Sequence, residues 1–174
     1  MTERERQRQF EAQLQEHRGI VLKVASLYAR GADDRNDLAQ EIYLQLWRSF
    51  ERYDPARAKF STWLYRVALN VAISQLRRSS DAWASRLEPL QTHHLETIGD
   101  TSEHEPDERL GALYAFIGRL DAINRALILL YLEDRSYAEM AEILGISETH
   151  VATKISRIKQ KLRGQMTGVA TIGA

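Results

Sequence analysis

The sequence predicts an all-α protein made of two small helical domains joined by a flexible acidic linker. Its 174 residues include only nine glycines and three prolines, and no segment alternates apolar and polar residues as a half-buried strand does. Apolar residues recur at helical spacing, and the 44% hydrophobic content is sufficient for buried cores. Composition then divides the chain into a first domain (1–78), a linker (79–106), a second domain (107–163) and a disordered tail (164–174).

Three helices are predicted in the first domain. Acidic residues favour a helix start because carboxylates there face the helix dipole and free N–H groups, and Asp33, Asp34 and Asp37 supply them. A turn is expected at Asp54-Pro55. The predicted helices are one from the N-terminal segment to Tyr28 or Arg30, one from the three aspartates to about Phe50, and one from about Ser61 to Arg78.

The second domain is predicted to end in a helix-turn-helix. A helix beginning at Asp107 and a buried helix at Ala126–Leu132 precede it. Ser136 and Glu139 have capping-box spacing, and Gly145 follows the last apolar pair, where a helix end requires positive φ. Ser147 then caps a second helix. The apolar face of that helix is Val151, Ile155, Ile158 and Leu162.

Charge indicates that this second helix binds nucleic acid. From Lys154 to Arg163 it carries five basic residues and no acid. A purely structural face usually mixes signs, whereas a one-signed run suits phosphates. The alternative is an ordinary helical hairpin within a core.

A second basic segment strengthens the nucleic-acid interpretation, although the net charge is zero. Between Asp54 and Asp81 there is no acid, and five basic residues occur there. The linker between the two basic segments is about 26 residues and can extend to roughly 85 Å, or about 28 Å as a relaxed coil. Two turns of B-DNA span roughly 70 Å, so both segments could contact one duplex.

Several function classes are excluded by the residues present. The chain has no cysteine, which rules out disulfides and fits a reducing cytoplasm. Its charged N-terminus is unlike a secretory signal, and no window is apolar enough for a membrane span. No phosphate-binding loop, dinucleotide fingerprint or metalloprotease motif is present. We therefore expect a cytoplasmic protein that is not an enzyme and has no cofactor, metal or small-molecule substrate.

Two motif blocks carry a resemblance to a known family. The first comprises Asp37–Glu41 with the apolar residues to Phe50, then Phe60–Asn70, then Leu76–Arg78. It closely resembles region 2 of bacterial sigma factors, and the second block, Leu129–Arg163, resembles region 4. The order and the linker match the small extracytoplasmic-function (ECF) group, which retains only these two regions.

The resemblance implies that the chain binds core RNA polymerase, through the β′ clamp and the β flap. The helix Asp37–Phe50 corresponds to the clamp-binding surface. Its implied contact residues are Asp37, Gln40, Glu41, Leu44 and Arg48. For Asp33 and Asp34 a capping role is as reasonable as contact, and Trp47 is expected in the core.

The resemblance further implies that the first domain melts and reads the −10 promoter element. Unstacked bases can lie on aromatic rings while cations hold the strand backbone. The implied residues are Tyr53, Lys59, Phe60, Trp63, Arg66, Asn70, Arg77 and Arg78. Asn70 can both donate to and accept from a flipped base, or it can simply lie on a solvated face; Trp63 can equally belong to the core.

In region 4 the resemblance implies that the second helix reads the −35 element as duplex. The implied residues are Glu148, Thr149, His150, Thr153, Lys154 and Arg157. Glu148 could accept from cytosine, and His150 and Lys154 could reach guanine or phosphate. Lys159, Lys161 and Arg163 are expected on the DNA backbone. Leu120-Asp121 departs from the Leu-Pro that the group often has before the buried helix.

Two other functions stay open at this point. One is a conventional helix-turn-helix transcriptional regulator with a helical sensor domain, although the sequence has no evident dimer seam. The other is a small hydrolase with a metal cluster of Asp33, Asp34, Asp37 and Glu41. For the sigma-factor interpretation, an anti-sigma factor that covers the polymerase-binding surfaces is also expected as a partner.

Overall fold

A computed structural model of the chain describes the backbone of residues 1–84 and 108–172, with the side chains of 1–79 and 108–165. All regular structure in these residues is helical and falls into two compact units, the N-terminal unit Met1–Ala82 and the C-terminal unit Trp83–Ala174. This confirms the predicted fold class. Most of the predicted linker, 85–106, lies outside the described residues. The helices are α1 (Glu3–Glu16), α2 (Arg18–Tyr28), α3 (Ala32–Ser49), α4 (Phe60–Ala84), α5 (Glu108–Arg119), α6 (Ala122–Leu132), α7 (Tyr137–Leu144) and α8 (Glu148–Ile172).

The core of the N-terminal unit is formed by the inner faces of α2, α3 and α4. Apolar residues at helical spacing bury these faces, as the periodicity predicts. The largest of the fully buried side chains here are Val21, Leu38, Ile42, Leu46, Leu64, Tyr65 and Leu69. A 3₁₀ turn, Phe50–Arg52, continues directly from α3 and leads into the loop before α4.

The N-terminal segment predicted to be helical as far as Tyr28 or Arg30 forms two helices, α1 and α2, because the chain breaks at His17. Its backbone leaves helical geometry (φ −112°, ψ 16°). Its Nδ1 lies 2.9 Å from the Gln13 carbonyl oxygen, and its ring lies 5.2 Å from the Phe60 ring. The break separates α1 from α2, and Phe10 of α1 meets the rings of Trp47 and Phe50. As a result, α1 packs against the end of α3.

Three other helix ends differ from the sequence prediction. Gly31, at φ 85°, is the residue before α3, and no side chain caps that helix. Asp33 and Asp34 instead occupy the first exposed turn. At the other end of the unit, α4 continues past Arg78 to Ala84. Likewise α8 continues past Arg163 to Ile172, where the sequence predicts a disordered tail.

The helix-turn-helix forms by the local signals that predict it. Ser136 Oγ accepts from the Glu139 amide at 3.1 Å, and Ser147 Oγ accepts from the His150 amide at 3.1 Å. Gly145 has φ 69°, in the left-handed region that favours glycine. The capping box at α7 is modified, since the carboxylate of Glu139 accepts from Arg135 and from the Ser136 hydroxyl.

The buried helix α6 is held at its start by two side chains. Asp121, at the position of the Leu-Asp departure, caps α6 by accepting from the Asn124 amide at 2.9 Å. Arg125, only 9% exposed, donates to the carbonyls of Gly118 (2.9 Å) and Leu120 (3.1 Å). These carbonyls end α5, so Arg125 fixes the α5–α6 corner on which the helix-turn-helix packs.

Candidate nucleic-acid interface

The outward face of α3 carries the side chains that the sequence assigns to polymerase binding. Leu38, Ile42 and Leu46 turn inward and are at most 1% exposed. The opposite face is exposed and mixes acid, amide and base around an apolar centre, Leu44, which is 42% exposed. That face consists of Asp37, Gln40, Glu41, Leu44 and Arg48. The structure therefore brings all five residues onto one accessible surface.

The loop that follows the 3₁₀ turn is organised by Asp54. Its carboxylate accepts from the Ala56 amide at 2.9 Å, and its carbonyl accepts from the Arg57 amide at 3.0 Å. These bonds close a tight turn at Pro55, as the Asp-Pro dipeptide predicts. Tyr53 closes the loop by donating from its hydroxyl to the Ala58 carbonyl at 3.2 Å. Desolvation and the Asp54 charge both raise the pKa of Tyr53.

Six aromatic rings form one continuous cluster beneath this loop. The ring cluster contains Phe10, Trp47, Phe50, Tyr53, Phe60 and Trp63, from α1, α3, the 3₁₀ turn, the loop and α4. Tyr53 stacks on Phe50 at 6.1 Å and lies 5.0 Å from Trp63. Tyr53 and Trp63 are half-buried, so part of each ring faces solvent. Of the aromatic residues predicted to contact DNA, these two are the partly exposed ones, so each offers a surface to an unstacked base.

Phe60, one of the residues predicted to contact DNA, is buried among other rings. Phe60 is only 5% exposed and lies within 5.6 Å of the rings of His17, Tyr53 and Trp63. No face of its ring is open to a base. Its role is structural, because it supports Tyr53 and Trp63 from below.

The outward face of α4 carries the predicted basic residues and the asparagine. Trp63, Arg66, Asn70 and Arg77 share a face because they are separated by three, four and seven residues. Arg66, Asn70 and Arg77 are exposed, as are Lys59 before the helix and Arg78 on the neighbouring face. The sequence-predicted set therefore meets on one surface beside the loop, with the exception of Phe60.

The first three turns of α8 present the predicted duplex-reading side chains. Val151, Ile155 and Ile158 are at most 3% exposed and hold the helix against its own unit. Lys154 is half-buried. Thr153 donates its hydroxyl to the Thr149 carbonyl at 3.0 Å, so that hydroxyl is left as an acceptor. The exposed residues are Glu148, Thr149, His150, Thr153 and Arg157.

One basic residue of α8, Lys159, packs against another helix of its own unit. Lys159 Nζ lies 4.4 Å from the centre of the Tyr131 ring on α6, a cation–π contact. A hydrogen bond to Tyr131 raises the pKa of Lys159 above its usual value. Lys159 thus joins α6 to α8 within the unit, and its contact with the DNA backbone stays a prediction.

Sequence reasoning missed the contribution of α1. Phe10 belongs to the ring cluster and Arg6 lies against it, although neither residue belongs to a recognised motif. The available signal is spacing. Arg6, Phe10, Leu14 and His17 are four, four and three residues apart, and they are the only residues in 1–17 that are not exposed.

The part of the chain that the structure describes shows no candidate metal site and no membrane-spanning helix. In that part of the chain, no three His, Asp or Glu side chains come together as a possible metal site. The acids proposed for a metal-dependent hydrolase, Asp33, Asp34, Asp37 and Glu41, thus do not converge. Within the same residues, no helix has the length and apolarity to cross a membrane.

The fold and its exposed faces define a two-unit helical protein with a C-terminal helix-turn-helix. Comparison with protein families gives two matches in the same order. Residues 14–82 match Sigma-70 region 2, and residues 110–162 match Sigma-70 region 4. Together these matches cover more than half of the chain. The chain therefore belongs to the sigma-70 family of RNA polymerase sigma factors, and its relatives are of the ECF group.

Two named relatives illustrate this similarity. The ECF RNA polymerase sigma factor SigW of Bacillus subtilis is 31% identical over 143 residues, which cover 76% of this chain and 75% of SigW. SigE of Mycolicibacterium smegmatis is 30% identical over 155 residues. That alignment covers 86% of this chain but only 58% of SigE, so the chain spans little more than half of that relative.

Solved structures share the fold at lower identity. The sigma factor RpoE of Bartonella quintana, solved with the anti-sigma factor NepR, matches with a TM-score of 0.72 at 18% identity, over 91% of this chain and 97% of RpoE. CnrH, solved with the cytosolic domain of CnrY, matches with a TM-score of 0.65 at 23% identity, over 93% of this chain and 90% of CnrH. These likenesses support the all-helical fold.

Proposed function

We propose that this chain is an alternative sigma factor that binds core RNA polymerase and directs promoter recognition and transcription initiation. The observation that carries the proposal is the pair of family matches, one in each unit and in the family order. Each unit also presents a surface suited to DNA, namely the basic face of α4 and the exposed start of α8. A conventional regulator with a sensor domain would leave the first of these surfaces without a role.

The exposed face of α3 is proposed as the polymerase-binding surface. It combines acids and amides with Leu44, an exposed apolar side chain at its centre. A partner with basic residues around an apolar groove would satisfy both features, since charge sets orientation and apolar burial supplies affinity. Asp37 and Glu41 are one helical turn apart and would meet the same basic partner surface.

The loop and α4 are proposed to capture the opened −10 strand. Tyr53 and Trp63 offer half-exposed rings, and stacking of one base on an aromatic ring contributes about 1–3 kcal/mol. Lys59 and Arg66 are near these rings in the chain, and Arg77 lies about 21 Å further along the same face of α4. All three would hold the strand backbone. Binding of the single strand offsets the free energy of duplex opening, so opening requires no covalent chemistry from the chain.

The start of α8 is proposed to read the −35 element in duplex form. Its N-terminal side chains can reach base edges in the major groove, which admits one helix. Glu148 is an acceptor suited to a cytosine amino group, and Arg157 is exposed for a phosphate or a guanine. The sequence read by these residues defines which promoters the chain selects.

We further propose a restraining anti-sigma partner and a cytoplasmic site of action. RpoE and CnrH were both solved with protein partners, NepR and the cytosolic domain of CnrY. A partner of the same kind would cover the α3 face or the DNA-binding surfaces of this chain. The proposed role needs no cofactor and involves no catalytic residue of its own.

Reconstitution with core polymerase tests the proposal. The complex should form open promoter complexes at selected sites, detected by permanganate reactivity of unpaired thymines. Asn70→Ala should lower opening about tenfold and Arg157→Ala should lower −35 selection by a similar factor, because each contact is worth roughly 1–3 kcal/mol. Ser74→Ala and Gln160→Ala, exposed neighbours on the same helices, serve as matched controls and should have little effect.

Two outcomes would contradict the proposal. The first is the absence of promoter-specific opening with core polymerase. The second is tight, specific duplex binding by the chain alone, which is typical of a conventional regulator. An Asp37→Ala variant adds a further test: it should weaken polymerase binding, whereas a metal-cluster hydrolase would lose metal binding instead.

A further inference from the structure

Arg6 of α1 occupies the point where α3 ends and the loop begins. Its Nη1 donates to Glu51 Oε1 at 2.7 Å, and its Nη2 donates to the Trp47 carbonyl at 3.4 Å. The guanidinium carbon lies 4.6 Å from the centre of the Trp47 ring. The Arg6 side chain is only 14% exposed. These contacts fix the guanidinium on three sides.

The position of Arg6 suits the electrostatics of a helix end. The Trp47 carbonyl belongs to the last turn of α3, where carbonyls carry partial negative charge; it accepts from the Phe50 amide, and Arg6 is its second donor. A fixed cation there stabilises the end of the helix and the start of the 3₁₀ turn. Glu51 lies in that 3₁₀ turn, and its carboxylate accepts from Nη1, the guanidinium nitrogen that does not bond to Trp47.

The ring cluster extends this contact to the loop. Phe10, one turn after Arg6, meets Trp47 and Phe50 edge-on at 5.2 Å each. Phe50 stacks on Tyr53, and the Tyr53 amide donates to the Phe50 carbonyl at 3.1 Å. A continuous set of contacts therefore runs from α1 to the side chain proposed to stack on an opened base.

We propose that Arg6 is a positioning residue for promoter opening, acting through Glu51 and Trp47 to hold the 3₁₀ turn and so orient Tyr53. This assignment rests on the proposed sigma-factor function. Arg6 is covered and already paired, so it does not itself bind the DNA strand. It preorganises the loop, which lowers the free energy needed to order Tyr53 when a base arrives.

The experiment uses the complex of the full chain with core polymerase. Three quantities are measured for each variant: affinity for core polymerase, affinity for a single-stranded −10 oligonucleotide, and the open fraction by permanganate reactivity. The variants are Arg6→Ala, Arg6→Lys and Glu51→Gln. The matched controls are Arg4→Ala and Arg8→Ala, which remove the same charge from exposed positions on the same helix.

A specific pattern is expected. Arg6→Ala should lower both opening and oligonucleotide affinity about three- to tenfold, since it removes the cation–π contact with Trp47 and the ion pair with Glu51. Affinity for core polymerase should stay within about twofold of the original, because the contacts of Arg6 lie away from the α3 face. Arg6→Lys should cause smaller losses than Arg6→Ala in opening and in oligonucleotide affinity. Lysine keeps the positive charge but lacks the planar guanidinium, which bonds to Glu51 and Trp47 at once. The controls should change none of the three quantities.

The outcomes separate this assignment from the function on which it rests. If the unmodified chain opens promoters and Arg6→Ala and Glu51→Gln open them equally well, the positioning role is overturned alone. Equal losses in polymerase affinity and in opening would indicate general destabilisation and would also overturn it. If the unmodified chain opens no promoter, the proposed function fails and this assignment fails with it. Glu51→Gln, at a side chain 69% exposed, keeps the test valid should Arg6→Ala not fold.

Discussion

The two proposed DNA-binding surfaces are built in different ways. The α8 surface stands on one helix, whose start is fixed by neighbours along the chain, Gly145 and Ser147. The Tyr53–Trp63 surface stands on rings contributed by four separate helical elements and a loop. The first surface therefore depends on local backbone geometry, and the second depends on the packing of distant segments.

This difference has a consequence for mutational effects. A rigid helix face can lose one cap and still present the same side chains, because its buried residues hold the helix in place. In the Tyr53–Trp63 surface only Trp63 stands on a helix, α4, whereas Tyr53 lies in the loop before it. A change in α1 reaches Tyr53 through Trp47 and Phe50, so residues far from the DNA should alter strand capture.

The largest predicted effect comes from the ring that joins α1 to this packing. Phe10 is 7% exposed and makes two edge contacts. Phe10→Ala should lower the free energy of unfolding of the N-terminal unit by about 3 kcal/mol, through lost burial and the cavity left behind. Denaturant unfolding followed by tryptophan fluorescence measures it, since Trp47 and Trp63 both lie in this unit.

The matched control for Phe10→Ala is Leu22→Ala on α2. Leu22 is 48% exposed, and truncation of an exposed side chain changes stability by roughly 0.5 kcal/mol or less. Equal effects of the two substitutions would mean that α1 is not part of the packed unit. The contrast between the two DNA-binding surfaces would then be wrong.

The second prediction concerns the backbone of the helix-turn-helix. Gly145 has φ 69°, and a Cβ placed there would meet no atom within 4 Å. The only penalty of Gly145→Ala is therefore conformational, and it should lower the stability of the C-terminal unit by about 1–2 kcal/mol. Thermal unfolding followed by circular dichroism measures this loss. Polymerase binding through α3 should not change.

Gly164→Ala provides a control of opposite sign. Gly164 lies in α8 and also has open space around its Cβ position. Because alanine favours a helix more than glycine does, this substitution should raise stability by about 0.5–1 kcal/mol. If both substitutions stabilised the chain, the turn would not need positive φ at Gly145, and the local account of this surface would fail.

The same contrast explains what the sequence could and could not predict. Ser136, Gly145 and Ser147 act within a few residues of their own positions, so their roles were predictable from spacing. The outward face of α3 was predictable too, because amphipathic periodicity separates Leu44 from the buried Leu46.

The ring cluster could not be predicted from spacing in the same way. Tyr53, Phe60 and Trp63 lie within one segment, and nothing local decides which ring turns inward. Contacts with other parts of the chain decide which ring is buried, such as the contact of His17 with Phe60. For the same reason the role of Arg6 was not visible, since its partners Trp47 and Glu51 are distant in sequence.

The smallest predicted effect isolates the Tyr53 hydroxyl from its ring. Tyr53→Phe keeps the stacking surface but removes the hydrogen bond to the Ala58 carbonyl, so it should cost about 1 kcal/mol of stability. Strand capture should weaken by no more than about fivefold, since the ring remains and a hydrogen bond of this kind is worth at most about 1 kcal/mol.

The sharpest test is the pH dependence of the stability difference between the original chain and Tyr53→Phe. Burial, and then the Asp54 charge, raise the pKa of Tyr53 above its ordinary value of 10.0. The folded chain therefore holds the phenolic proton more tightly than the unfolded chain does, and the resulting stability is fully present below pH 10. It is lost as the pH rises from there through the raised pKa, while Tyr53→Phe has no such loss.

Unfolding measured at neutral and alkaline pH should show the advantage of Tyr53 shrinking above about pH 10. If the stability advantage of Tyr53 over Phe stayed constant above about pH 10, Tyr53 would be solvated. The Tyr53–Trp63 surface would then be less tightly packed than the ring contacts imply.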